Sequence, residues 1–469
     1  MKTLSLAIRN LLRNRRRSLA TLLALAIGSA AILIFGGYTT NVRYSMLTAY
    51  VRNGGHLQIQ HRDFFHYGSG NPAAYGIRDY AAIMAAVQQD PTLARMTNVT
   101  SPMLQFGGIA GNYEASVSRT VLGTGYVPAD VNRMRLWNEF QLRDRKPFFA
   151  LDGAPPDSAI MGIGVARVLL LCEPLGVPAE DCPRPEQAAK PAPGAAALPA
   201  DISALALAEA PASPAQKSGG KARIELLAGN GRGAPNVAAL NVLAAESQGF
   251  KELDELSLII PLAQAQQLVY GRAEPRATSI LLQLKRTDQM AAAQARLEAV
   301  LKEAAPDKPL AVLSFETLNP FYVQTQQLFD TIFGFIFVLI GGIVLFTVGN
   351  TMNAAVIERT VEIGTLRAVG LRQGGIRRLF ITEGFVLGCV GALAGATFAL
   401  TFAYAFNSAN LTWVPPGTSE RMPLSLIVQG QNRMIVGTTL GLILIAVLSA
   451  WWPAYRAARL KIVDALRHA

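Results

Sequence analysis

P-loop nucleotide hydrolysis uses a loop that cradles phosphate, of the form G-x-x-x-x-G-K-[ST], and the 469-residue sequence has none. Its glycine-rich piece, GNGRGAPN at 229–236, lacks the lysine that reaches phosphate and the hydroxyl that holds magnesium. No G-x-S-x-G elbow, H-E-x-x-H pair or acidic metal cluster is present either. His56, His61 and His66 lie close together, but a spacing of five puts His56 and His61 on opposite faces of a strand. No cysteine or second ring of partners turns them into a metal site. Cys172 and Cys182, ten positions apart, close a small loop by a disulfide in an oxidising compartment, or stay as two thiols. Cys389 lies inside an apolar run and reads as a small hydrophobe. These residues predict no covalent chemistry, no metal and no bound cofactor, so any energy must come from a partner.

The most informative stretch is ERTVEIGTLRAVGLRQGGIRRLFITEGFVLG, residues 358–388. It reads as two short amphipathic pieces broken by Gly370 and by Gly374–Gly375. Glu358 and Glu362 share a helical face at i, i+4, with Arg359 and Arg367 nearby. Such a piece is either a docking peg for a soluble partner or a solvated loop that only satisfies a charge rule.

That charge rule comes from the elements around it. Four apolar runs stand out: Ser18–Tyr38, Thr331–Gly349, Phe380–Phe406 and Met434–Trp452. Each is long enough to cross a ~30 Å hydrocarbon core as a helix. The first exceeds the length of a signal-peptide core and lacks a clear cleavage site, so it reads as an uncleaved anchor. Basic residues flank the runs unevenly. Lys2, Arg9, Arg13, Arg15, Arg16 and Arg17 precede the first; Arg359, Arg367, Arg372, Arg377 and Arg378 lie between the second and third; Arg456, Arg459, Lys461 and Arg467 follow the fourth. Only Arg421 and Arg433 lie between the third and fourth. Both termini and the 350–379 loop are therefore expected in the cytoplasm, with 39–330 and 407–433 outside. The formal charge of +11 is spent on these flanks, which argues against nucleic-acid binding.

Residues 1–17 place Leu4, Ile8, Leu11 and Leu12 on one side and Arg9, Arg13 and Arg16 on another, the pattern of a helix lying on the lipid surface. A disordered basic leader is the alternative. In the third run, Gly384, Gly388, Gly391 and Gly395 share a face that lets another helix approach closely, within or between protomers.

The stretch 39–330 mixes both periodicities. GHLQIQ, AIMGIGV from Ala159, ATSILLQL from Ala277 and Leu310–Ser314 read as strands, AIMGIGV running into a helix. Thr287 reads as the cap of a helix running to about Ala304. The fold class is thus a membrane protein of four transmembrane helices, with a large α/β domain of two lobes between the first two spans. Residues 183–221, rich in Ala and Pro, read as a flexible insertion.

The segment EIGTLRAVGLRQGGIRRLFITEG and the tail PAYRAARLKIVDALR resemble the FtsX-like, MacB-type permeases of ABC transporters, a family that includes the lipoprotein-releasing Lol permeases. GHLQIQ and the run from Pro261 to Leu301 are similar to that family's periplasmic core domain. The resemblance implies a bacterial inner-membrane protein that works as a pair, with a second copy or a homologue. It implies two copies of a cytoplasmic ATPase subunit that bind ATP and magnesium, surrounding membrane lipid, and a periplasmic or outer-membrane partner. MacB carries its ATPase ahead of the first span; here 17 residues stand there, which implies an ATPase on a separate chain. By resemblance Glu358, Glu362, Gly364, Arg367, Ala368 and Gly370 form a coupling helix that touches that ATPase. Motion would pass outward through stalks at 39–51 and 318–330 to export a lipoprotein, a lipid or a small molecule. The alternative is an FtsX-like signalling module that activates an external partner such as a cell-wall hydrolase.

Overall fold

Each apolar run becomes the middle of a longer helix. In the computed structural model, which describes residues 2–13, 15–143, 148–180, 182, 222–229, 234–414 and 422–460, these helices are Arg15–Gly54, Pro320–Glu358, Gln373–Ser408 and Asn432–Ala458. All four are long and apolar enough to cross a membrane. At 1.5 Å per residue the 40-residue first helix reaches about 60 Å, twice a hydrocarbon core. Its polar continuation keeps helical geometry up to Gly54, three residues past the expected stalk. The second helix starts at Pro320 rather than Leu318. Proline suits a first helical turn, and Leu318 closes a separate turn, Phe315–Leu318, capped by the Ser314 hydroxyl. Arg43 ties the two extensions together, donating to Gln326 Oε1 at 2.5 Å and to Asp330 at 2.8 Å.

The chain divides into two compact units: Met1–Met46 with Pro320–Trp413 and Pro423–Ala469, and Leu47–Asn319 with Val414–Met422. In the first unit the four glycines of the third helix serve two neighbours. A Cβ at Gly384 would lie 2.6 Å from Ala450 Cβ and one at Gly388 3.0 Å from Ala446 Cβ, both on the fourth helix. A Cβ at Gly391 would lie 2.5 Å from Leu25 Cβ, and one at Gly395 would overlap the Ala26 carbonyl oxygen, both on the first helix. The four glycines along one helix therefore let two helices close in, one at each end. Ser29 adds a buried hydrogen bond to the Ala392 carbonyl at 3.0 Å.

Among the described residues the second unit is a mixed α/β domain of nine strands: β1 (Leu57–His61), β2 (Thr97–Asn112), β3 (Val117–Tyr126), β4 (Ser158–Gly162), β5 (Arg223–Gly229), β6 (Pro235–Glu246), β7 (Ser257–Pro261), β8 (Ser279–Leu284) and β9 (Leu310–Ser314). The order is β3-β7-β4-β6-β5-β2-β8-β1-β9, and β3 also pairs with β2. Six strands therefore close into a small barrel, and the 16-residue β2 continues into an open sheet with β8, β1 and β9. Alternation fills the barrel. Ile224, Leu226 and Ala228 of β5 point in, while Arg223 and Leu227 are exposed. Phe106 occupies the space beside Gly123, where a Cβ would collide with its ring. Each buried Leu or Ile contributes about 1.5–3 kcal/mol. The open sheet has its own core, Leu57, Ile59, Ile280, Leu282 and Leu284 against Ile83, Leu93, Leu297 and Val300 of flanking helices. The barrel and the open sheet thus each have a core of their own. Cys172 and Cys182 are joined beside the barrel, with Cα atoms 6.4 Å apart. The Ala/Pro stretch 183–221 lies outside the described residues.

Thr287 does not cap the following helix. It opens a 3-10 turn, Thr287–Gln289, and its hydroxyl donates to Glu139 Oε2 at 2.7 Å. Its oxygen also takes the Nε2 proton of buried His56 at 3.2 Å, because His56 Nδ1 already accepts the Leu284 N–H at 3.0 Å. His61 packs edge-on to Tyr75, and His66 lies beside Phe65 and Tyr67. Burial lowers the His56 pKa from 6.5 to about 4. The unfolded chain takes up this proton first, so stability is full above pH 6.5 and falls as pH drops from 6.5 towards 4. The loss should reach roughly 3 kcal/mol. Melting of wild type and His56→Gln at pH 7.5 and 4.5 checks it: the variant should lose most of the difference, and an equal difference in both would refute the assignment.

Candidate coupling site

Between the second and third membrane helices the chain forms a short helix, Thr360–Ala368. Glu358 is the last residue of the second helix, and the break falls at Arg359. Glu358 is thus one element earlier than the resemblance implied. The short helix ends at Ala368, and Gly370 beyond it, whose φ of +102° suits glycine, turns the chain back. Leu371 N–H closes the turn on the Leu366 carbonyl at 3.0 Å. Gly374 and Gly375 do not break a helix; they lie in the first turn of the third, which starts at Gln373.

The short helix has two faces. Ile363 and Gly364 are buried, and Arg367 points inward to hydrogen-bond the Leu460 carbonyl. Val361, Leu366 and Leu371 are exposed, Val369 is 83% exposed, and Ala368 and Gly370 are exposed beside them. Of the six residues taken from the resemblance, Gly364 and Arg367 therefore face the bundle. The surface left open around Gly370 is apolar, with Glu362, Thr365 and Arg372 exposed beside it. Val369 and Leu371 flanking a turn glycine were the signal available for it in the sequence.

The two acids have intramolecular partners. Glu362 meets Arg13 at 2.5 Å and Glu358 meets Arg17 at 2.6 Å. Below them Glu383, 1% exposed, accepts at Oε1 from Asn10 Nδ2 at 2.7 Å and from Arg359 at 3.0 Å. Arg359, 6% exposed, also donates to the Asn10 carbonyl at 2.9 Å. The N-terminal helix, Lys2–Arg13, keeps Leu4, Ile8 and Leu12 exposed in a stripe and buries Ala7. Residues 461–469 of the tail lie outside the described residues. Among the described residues no group of three His, Cys, Asp or Glu gathers as a metal site.

The chain thus combines four helices long and apolar enough to cross a membrane, a mixed α/β domain inserted between the first two, and a short loop helix between the second and third. Residues 331–462 match the FtsX-like permease C-terminal model, which covers less than half of the chain. Over 143 residues it is 34% identical to the macrolide export ATP-binding/permease protein MacB of Escherichia coli (strain K12), an alignment that covers 30% of this chain and 20% of that protein. The same protein of Shigella flexneri aligns with the same identity and coverage. The crystal structure of the periplasmic region of MacB from Actinobacillus actinomycetemcomitans aligns at 11% identity and a TM-score of 0.31, over 58% of this chain and 94% of that one.

Proposed function

We propose that the chain is the permease subunit of a MacB-like ABC transporter at the inner membrane, with both termini in the cytoplasm. ATP hydrolysis by a separate ATPase subunit would move the α/β domain on the far side. The membrane helices transmit that motion, in a pair of permease chains, for export of a lipoprotein, lipid or small molecule. The observation that carries this reading is the apolar rim of Leu366, Val369 and Leu371, left exposed at a turn closed by the Leu371 N–H on the Leu366 carbonyl. Exposed aliphatics at a fixed turn suit burial in the groove of a soluble partner. MacB, whose name joins ATP binding to permease, supports an ATPase as that partner.

The test is purification of the tagged full-length chain from its own host membranes, with any co-purifying ATPase subunit identified by mass spectrometry. Wild type should retain the ATPase, and Leu366→Glu with Val369→Glu should weaken retention at least about tenfold, as expected for loss of an interface centre. Retention by the double variant would remove the rim from the interface, and no ATPase with wild type would refute the function.

A further inference from the structure

We propose that the N-terminal helix is part of the coupling element, locked to the loop helix by an Asn10–Arg359–Glu383 triad, its arginine and glutamate buried, and by two ion pairs. The proposal deepens the permease reading and rests on it. Five segments converge at this point: the N-terminal helix (Asn10, Arg13), the start of the first membrane helix (Arg17), the end of the second (Glu358, with Arg359 at the break), the loop helix (Glu362) and the third membrane helix (Glu383). Five contacts of 2.5–3.0 Å tie them together.

A charge pair buried in a helix bundle is costly unless its geometry and hydrogen bonds are good. Here one carboxylate oxygen takes both an amide and a guanidinium donor, and the same guanidinium also binds the backbone of the N-terminal helix. Glu383 is therefore committed inside the bundle rather than offered to a passing ion. Arg359 is the residue immediately before the loop helix. A displacement of that helix must carry Arg359 with it, and through Arg359 both Glu383 and Asn10. The exposed Arg13–Glu362 and Arg17–Glu358 pairs are weaker but fix the direction, since each crosses from one end of the chain to the loop. Asn10, Arg359 and Glu383 are positioning residues: they make the loop helix, the N-terminal helix and the head of the third helix move as one block.

Amide hydrogen exchange on the full-length chain in lipid nanodiscs tests this. Glu383→Ala should speed exchange at least about tenfold in residues 2–12 and 360–368 together, with 432–458 little changed, because local opening follows loss of the tie. Glu383→Gln keeps an acceptor for Asn10 and should give a smaller rise. Should Glu383→Ala fail to fold, Arg13→Glu should loosen both segments by up to about fivefold, and adding Glu362→Arg should restore them. A rise in one segment without the other, or no rescue by the swap, overturns the lock. The permease reading is scored separately: Glu383→Ala should still co-purify the ATPase but lose permease-dependent stimulation of its ATP hydrolysis. Normal stimulation overturns the proposed role, whereas a wild-type chain that binds no ATPase overturns the function and leaves the exchange result standing.

Discussion

Leucine at position 395 should leave almost no correctly folded four-helix bundle. A Cβ built on Gly395 overlaps the Ala26 carbonyl oxygen and lies 2.6 Å from Ser29 Cβ and 3.0 Å from the Ala26 carbonyl carbon. Two of those three atoms belong to the backbone of the first helix, which cannot rotate aside as a long side chain does. Leucine adds three further carbons in the same direction. Overpacking a well-packed site costs about 1–3 kcal/mol where neighbours yield, and more where they do not. Parting the helices would also cost the 3.0 Å bond from Ser29 to the Ala392 carbonyl, buried away from water. We expect a loss of at least about 3 kcal/mol, read as aggregation on size exclusion and a collapsed melting temperature. Gly342→Leu is the matched control, because nothing lies within 4 Å of a Cβ on that glycine of the second helix. It should behave as wild type. A Gly395→Leu protein as monodisperse and stable as Gly342→Leu would refute the close approach of the first and third helices.

That pair of glycines also shows what the sequence could reveal. The regular spacing in the third run made the close packing legible, but not the division of the four glycines between two neighbours, because spacing carries no information about which helix lies opposite. The same limit explains the coupling site. Acids at 358 and 362 and arginines at 13 and 17 were visible, yet the arginines already had a sufficient reading as topology flanks. The ion pairs join residues 349 and 341 positions apart. Helix ends escaped for another reason. An apolar run marks the hydrocarbon, whereas the helix Arg15–Gly54 continues on backbone hydrogen bonds that polar side chains do not interrupt. Strands β1, β4, β8 and β9 were legible from alternation or compact apolar runs. Barrel closure was not, because its β3–β7 and β4–β6 pairings are parallel and join strands separated by long connections.

Arg52→Ala should destabilise the α/β domain by about 3–5 kcal/mol. Arg52 sits in the last turn of the first helix, 4% exposed, and its Nε donates to the Trp137 carbonyl at 2.8 Å. A hydrogen bond from a charged donor is worth about 1.5–3 kcal/mol. The truncation also empties the volume of a long buried stem. Trp137 is held on its other side by its ring N–H to the Lys285 carbonyl at 3.2 Å and by edge-on contact with His56, centroids 5.1 Å apart. Loss of Arg52 therefore loosens a joint that also includes β8. Gln283→Leu in the same joint should cost much less, about 1–2 kcal/mol, although Gln283 is fully buried and donates to the Val51 and Met134 carbonyls at 3.2 and 3.0 Å. Both carbonyls keep another donor, Gly55 N–H and Trp137 N–H, so neither is orphaned. Trp137 is one of four tryptophans, and the other three, Trp413, Trp451 and Trp452, belong to the membrane unit. With those three changed to Phe, denaturant unfolding followed at Trp137 reports on this joint alone. The expected order of stability is wild type, then Gln283→Leu, then Arg52→Ala. Equal midpoints for the two variants would show that the arginine does not secure the end of the helix.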